Sequence, residues 1–178
     1  MKTKIHNLTK GCHRRLKRPL AFIMVLSLLA SLLLLTALAA ETGWVSASGN
    51  ANNNSVSNPE NAYSQNNLRA TFNSSSDSVE YTFGSGLVPS NAEITGIAVR
   101  IDASKSSDST RTFNLQLRSG QSNRGASKNS GTLPNSDTGS YIELGGAADK
   151  WGYEGWTASK INSGFRVRIQ STSGGSSA

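Results

Sequence analysis

Hydrophobic and polar positions alternate in six short stretches of the chain. Leu68, Ala70 and Phe72 share one face of a predicted strand, and Val79, Tyr81 and Phe83 share one face of the next. Only a few polar residues separate these two stretches, so they are expected to pair as a hairpin. Ile94–Ala103 follows, with Ile97, Val99 and Ile101 on the inner face and Ala98, Arg100 and Asp102 on the outer. Thr112–Arg118 alternates in the same way through Phe113, Leu115 and Leu117, and a second hairpin is expected here. Tyr141–Leu144 is a shorter strand, and Phe165–Gln170 alternates strictly through Phe165, Val167 and Ile169. Trp44-Val45 is read as the start of a first strand, and the tracts Asn50–Asn58 and Gly120–Asp137 as polar loops. Thr157–Asn162 is read as one helical turn, N-capped by the Thr157 hydroxyl. Short strands with polar, turn-rich joints and no long helix predict an all-β fold, an antiparallel, jelly-roll-like β-sandwich. Period-2 alternation gives each sheet one dry and one wet face.

One stretch breaks the pattern. Leu20–Ala40 carries no charge and no polar face, so it is not the amphipathic helix of a soluble core. Seven basic residues and no acidic one precede it within residues 1–18. A basic end followed by an apolar run is the arrangement of a secretion signal. Ala37-Leu38-Ala39 supplies small side chains for a signal peptidase, and cutting is expected after Ala39, with Ala40 as the second choice. The run is also long enough, at about 20 residues, to span a bilayer uncut. Residues 1–39 are therefore a signal peptide or a signal anchor. Residues 40–66 form a polar N-terminal segment holding that first strand, and residues 67–178 the sandwich. The exported part is expected to be extracellular or at the cell surface, touching membrane only through residues 20–40.

The leader also changes how the composition reads. The formal charge of +7 belongs entirely to it, because eleven basic and eleven acidic residues remain from Glu41 onward. The case for a nucleic-acid partner, which a basic chain would raise, ends there. Cys12, His6 and His13 all lie in the leader, so the rest of the chain has no thiol and no imidazole. That excludes Ser-His-Asp and Cys-His catalysis and the usual zinc, copper and haem ligands. No cofactor, metal or catalytic residue is assigned, and an enzyme is not expected. Asp149 with Asp137 or Glu143 offers oxygen ligands for calcium, but no D-x-D-x-D-G run supports it. The candidate ligand-binding residues are Trp151, Tyr153 and Trp156 in a glycine-rich corner. Exposed, they would stack on sugar rings; buried, they would cap the core.

Three segments carry a resemblance. They are Leu87–Ile101, Ile142–Gly152, and Trp156–Asn162 leading into Phe165–Ile169. Their order and spacing resemble a β-sandwich module that recurs in bacterial secreted or surface proteins and in phage structural proteins. The resemblance spans roughly residues 44 to 171. It implies a non-catalytic structural or adhesive module; the alternative is a carbohydrate-binding module working through the aromatic corner. In such modules a further apolar strand follows the one matching Phe165–Gln170. Its lack here is read as a fragment, or as a gap filled by a neighbouring subunit's strand. The expected partners are thus glycans or neighbouring protein subunits.

Overall fold

The computed structural model describes residues 41–106, 110–137, 139–172 and 176–177, the last pair by backbone alone. The expected signal or anchor, with its apolar helix and the cleavage site at Ala39, lies outside the described residues. Among the described residues no helix is long and apolar enough to cross a membrane.

In chain order the strands are β1 (Gly49–Asn54), β2 (Thr71–Phe72), β3 (Ser78–Thr82), β4 (Ile97–Ile101), β5 (Ser104–Lys105) and β6 (Phe113–Ser119). β7 (Ser122–Asn123), β8 (Lys128–Asn129) and β9 (Ile142–Gly146) follow. Helix α1 (Ala158–Asn162), β10 (Phe165–Ser171) and β11 (Ser176–Ser177) complete the order. All pairings between these strands are antiparallel. The fold is all-β, as the alternation predicted.

The largest sheet runs β1-β3-β10-β6, with β7 and β8 both on the far side of β6. A second sheet runs β2-β11-β5, and β4 pairs with β9 in a third. In the largest sheet the dry rows are in register. Val167 lies between Tyr81 and Leu117, and Ile169 between Val79 and Leu115. All are buried. Each of the aliphatic side chains among them contributes about 1.5–3 kcal/mol by leaving water. Phe72 of the second sheet meets Phe113 of the first with ring centroids 4.7 Å apart. Ile97, Val99, Ile142 and Leu144 of the third pack against the same core. Thr157 caps α1 as expected, its hydroxyl accepting from the Lys160 N–H at 3.3 Å.

Several expectations are corrected. Asn50–Asn54 of the asparagine tract are not loop but part of β1, paired with β3, while residues 55–58 lie outside any named strand; Trp44 and Val45 are exposed and outside any strand. The residues opposite β1 need only its backbone groups, which asparagines supply as well as any residue. Neither expected hairpin forms. β2 and β3 lie in different sheets, and β4 pairs with β9 while β6 pairs with β10. Alternation says which side of a strand is dry, not which strand lies beside it. Both arrangements bury the same rows. Leu68, expected inward, is exposed. The long polar loop holds β7 and β8 and the buried anchor Leu133.

The turn before β3 is built on the buried Asp77. Its carboxylate accepts from the N–H groups of Asn73 (2.6 Å) and Ser74 (2.9 Å) and from the Ser74 hydroxyl (2.7 Å). Burial pushes this carboxyl up. The Ser74 hydroxyl and the two N–H groups outweigh it, and the group lies below the ordinary aspartate value. A depressed carboxyl stabilises the fold above its unfolded value, about pH 4, and that contribution fades as pH falls through the folded value. Asp77→Ala is expected to cost about 1–3 kcal/mol near neutral pH. It should also flatten the loss of stability below about pH 4. Urea unfolding of both proteins at neutral and acid pH checks this; parallel pH profiles would show that Asp77 is not the group responsible.

Candidate functional site

The structure brings Trp151, Tyr153 and Trp156 together, and it sets them in the core wall. Trp151 is 1% exposed and Trp156 6%. Tyr153 is half-buried and meets Trp156 edge-on at 5.4 Å. Trp156 in turn meets Phe165 at 5.8 Å. The indole N–H of Trp151 donates to the Ile97 carbonyl at 2.8 Å, and that of Trp156 to the Lys150 carbonyl at 3.1 Å. Both polar handles are therefore satisfied inside the protein. Neither indole presents an open face for a sugar, and Tyr153 alone reaches solvent. Close backbone approach explains the glycines around this corner. A Cβ at Gly125 would lie 1.9 Å from the Trp151 carbonyl oxygen, and one at Gly145 would lie 2.2 Å from that of Ile97.

Of the acidic residues named as calcium candidates, Asp149 and Asp137 are each held by a cation. Asp149 accepts from the Lys128 ammonium at 2.8 Å and from the Trp151 backbone N–H at 2.7 Å. Lys128 first, then that N–H, hold its carboxyl below the usual value. Asp137 accepts from the Gly139 N–H and pairs with Arg69, and these hold it low in that order. Arg69 also pairs with Asp102 at 3.2 Å. Glu143 lies in β9, opposite Arg100 in the register. Among the described residues no three acidic, histidine or cysteine side chains converge on a metal-sized space.

Two surface features were not legible as sites in the sequence. The first is a stack in which the Arg100 guanidinium lies 4.2 Å from the Trp44 ring centroid and 4.3 Å from that of Tyr141. Both rings are more than 40% exposed. Alternation puts Arg100 on the outer face of its strand, but says nothing of which distant rings lie beside it, and Trp44 and Tyr141, both expected in strands, lie outside them.

The second is the wet face of the largest sheet. Cross-strand rows there run Thr82, Arg166, Arg118; then Glu80, Arg168, Gln116; then Ser78, Gln170, Asn114. Glu80 is 2% exposed and clamped by Arg118 at 2.6 Å and Arg166 at 3.0 Å. Arg168 is left with one long contact, 3.4 Å to the Ser78 hydroxyl, and no carboxylate among the described residues. Beyond β6, the segment 120–129 folds up beside the sheet. The Arg124 N–H donates to the Leu117 carbonyl at 2.8 Å. Gln116 donates to the Arg124 carbonyl at 2.9 Å. Asn129 donates to the Asn114 side chain at 2.8 Å. Floor and wall enclose a trough of about 180 Å³ lined by Asn114, Gln116, Asn123, Ser127, Arg168 and Gln170.

No protein-family model, curated protein or solved structure matches this chain.

Proposed function

We propose that the chain is exported and that residues 41–178 act at the cell surface or beyond it as a non-catalytic structural or adhesive β-sandwich module. The observation that carries this reading is how the ionisable side chains are used. Glu80, Asp102, Asp137, Asp149 and Glu154 each pair with a lysine or arginine. Carboxylates that work as a glycosidase acid and nucleophile face one another across a substrate instead. The jelly-roll-like sandwich and the kinship with secreted and phage modules belong to this proposal too. In its favour, rows from three sheets meet in one core, as with Phe72 against Phe113. Export rests on the basic end and apolar run of residues 1–40.

Fractionation of cells expressing the full chain, with mass spectrometry of its N-terminus, tests the reading. Recovery outside the cytoplasm is expected, beginning at Ala40 if the signal is cut after Ala39, or embedded in membrane if it is kept. Recovery of the intact chain as a soluble cytosolic protein would overturn it.

A further inference from the structure

We infer that the trough on the wet face of the largest sheet binds an anionic sugar unit, a polyhydroxyl ring bearing a carboxylate or a phosphate. The inference rests on the surface-module reading and names what such a module would hold. Every side chain lining the trough is an amide, a hydroxyl or a guanidinium, and none is a carboxylate. The side chains of Asn123, Ser127 and Gln170 make no hydrogen bond among the described residues. The Asn114 amide accepts from Asn129, and its own N–H groups stay uncommitted among the described residues. The donors and acceptors of Asn123, Ser127 and Gln170, with the Asn114 N–H groups, thus line one concavity without partners among the described residues, the arrangement that hydroxyl groups of a sugar satisfy.

Arg168 sets the charge. The acid beside it in the register is Glu80, and both Glu80 oxygens are already held by Arg118 and Arg166. Three guanidinium groups therefore share one carboxylate on this face. Arg168 is left with an unneutralised fork of N–H donors, which matches a carboxylate or phosphate. The trough has no apolar platform, so an uncharged aromatic or lipid ligand would find no contact that exceeds its hydration.

The test uses the full chain, ¹⁵N-labelled and held in an uncharged detergent, titrated with methyl β-glucuronide, glucose 6-phosphate, glucose and inorganic phosphate. The side-chain amide signals of Asn114, Gln116, Asn123 and Gln170 are expected to move with the two acidic sugars. Glucose, which lacks the charged group, and inorganic phosphate, which lacks the ring hydroxyls, should each bind at least about ten-fold more weakly. Binding of either acid supports the site, and the tighter one assigns a uronate or a phosphate glycan. Arg168→Gln should weaken binding about ten-fold or more. Asn123→Asp, an exposed change that places a carboxylate at the rim, should do the same even if Arg168→Gln folds poorly. Arg100→Gln, outside the trough, should leave binding unaltered. Unmoved amide signals at the solubility limit, equal affinity for glucose, or full affinity for inorganic phosphate alone would each overturn the inference. Release of methanol from the glucuronide would support the trough as a site but overturn the non-catalytic reading beneath it.

Discussion

Glu80→Ala is expected to lower stability by about 3–5 kcal/mol, among the largest effects of any single change to a charged residue here. The cost does not come from losing two ion pairs as such. Two charges brought out of water gain little net over remaining hydrated, because desolvation offsets their attraction. It comes from what is left. Arg118 and Arg166 stand opposite each other in the register of β6 and β10, and Arg168 follows two residues on. With the carboxylate in place the Arg118 and Arg166 guanidiniums are drawn to one point between β3 and β6. Without it, like charges face one another over a hole. Arg118 has a side chain only 13% exposed, so water does not readily take the place of Glu80. Urea unfolding should show the midpoint falling with an unchanged slope. The double variant Glu80→Ala with Arg118→Ala should recover part of the loss, because it removes one of the stranded cations. A loss under about 1 kcal/mol would mean that water screens the cluster as it does a surface pair.

Glu80 also marks the limit of what the sequence conveys. Its place on the wet face follows from Val79 and Tyr81 facing inward, and that much was legible. Its burial was not. A residue on a wet face is buried only if its neighbours cover it, and those neighbours sit on β10 and β6, far along the chain. The same separation explains the hairpins that do not form. Ile97, Val99 and Ile101 face the core whether β4 lies beside β6 or beside β9, so alternation gave no vote. β1 was missed for a different reason. Asn50 to Asn54 have turn preferences, and pairing with β3 overrides them, helped by asparagine side chains such as Asn54, which donates to the Ser76 carbonyl at 2.9 Å. The trough was invisible because its wall, residues 120–129, contains no apolar period at all. Only its position against Asn114 and Gln116 makes it part of a site. By contrast, the strictly alternating Phe113–Leu117 and Phe165–Ile169 segments and the Thr157 cap were read correctly, because there local pattern and tertiary packing agree.

Trp151→Ala is the second large effect, expected at about 3–5 kcal/mol for a fully buried indole. More than volume is at stake. Trp151 adopts φ +58, a left-handed conformation uncommon for a bulky residue. Its surroundings hold it there. Its backbone N–H donates to Asp149, its indole N–H to the Ile97 carbonyl, and its own carbonyl accepts from the Ala126 N–H at 2.7 Å. The last bond belongs to the wall of the trough. Lys128, on the same wall, pairs with Asp149 and lies 5.3 Å from the Trp151 ring centroid. The indole therefore links the core, the β4–β9 pair and the wall segment. Trp151→Phe keeps most of the bulk but leaves the Ile97 carbonyl without its donor, and should cost about 1–3 kcal/mol. Tyr153→Ala, at the half-buried edge, should cost less than Trp151→Ala. A stacking residue would lose glycan binding at constant melting temperature. Here Trp151→Ala should lower the melting temperature first, and any loss of binding should track displacement of the 120–129 wall, visible in the amide signals of Gln116 and Asn123. An unchanged melting temperature in Trp151→Ala would mean that the ring is not part of the core and would return it to the list of ligand contacts.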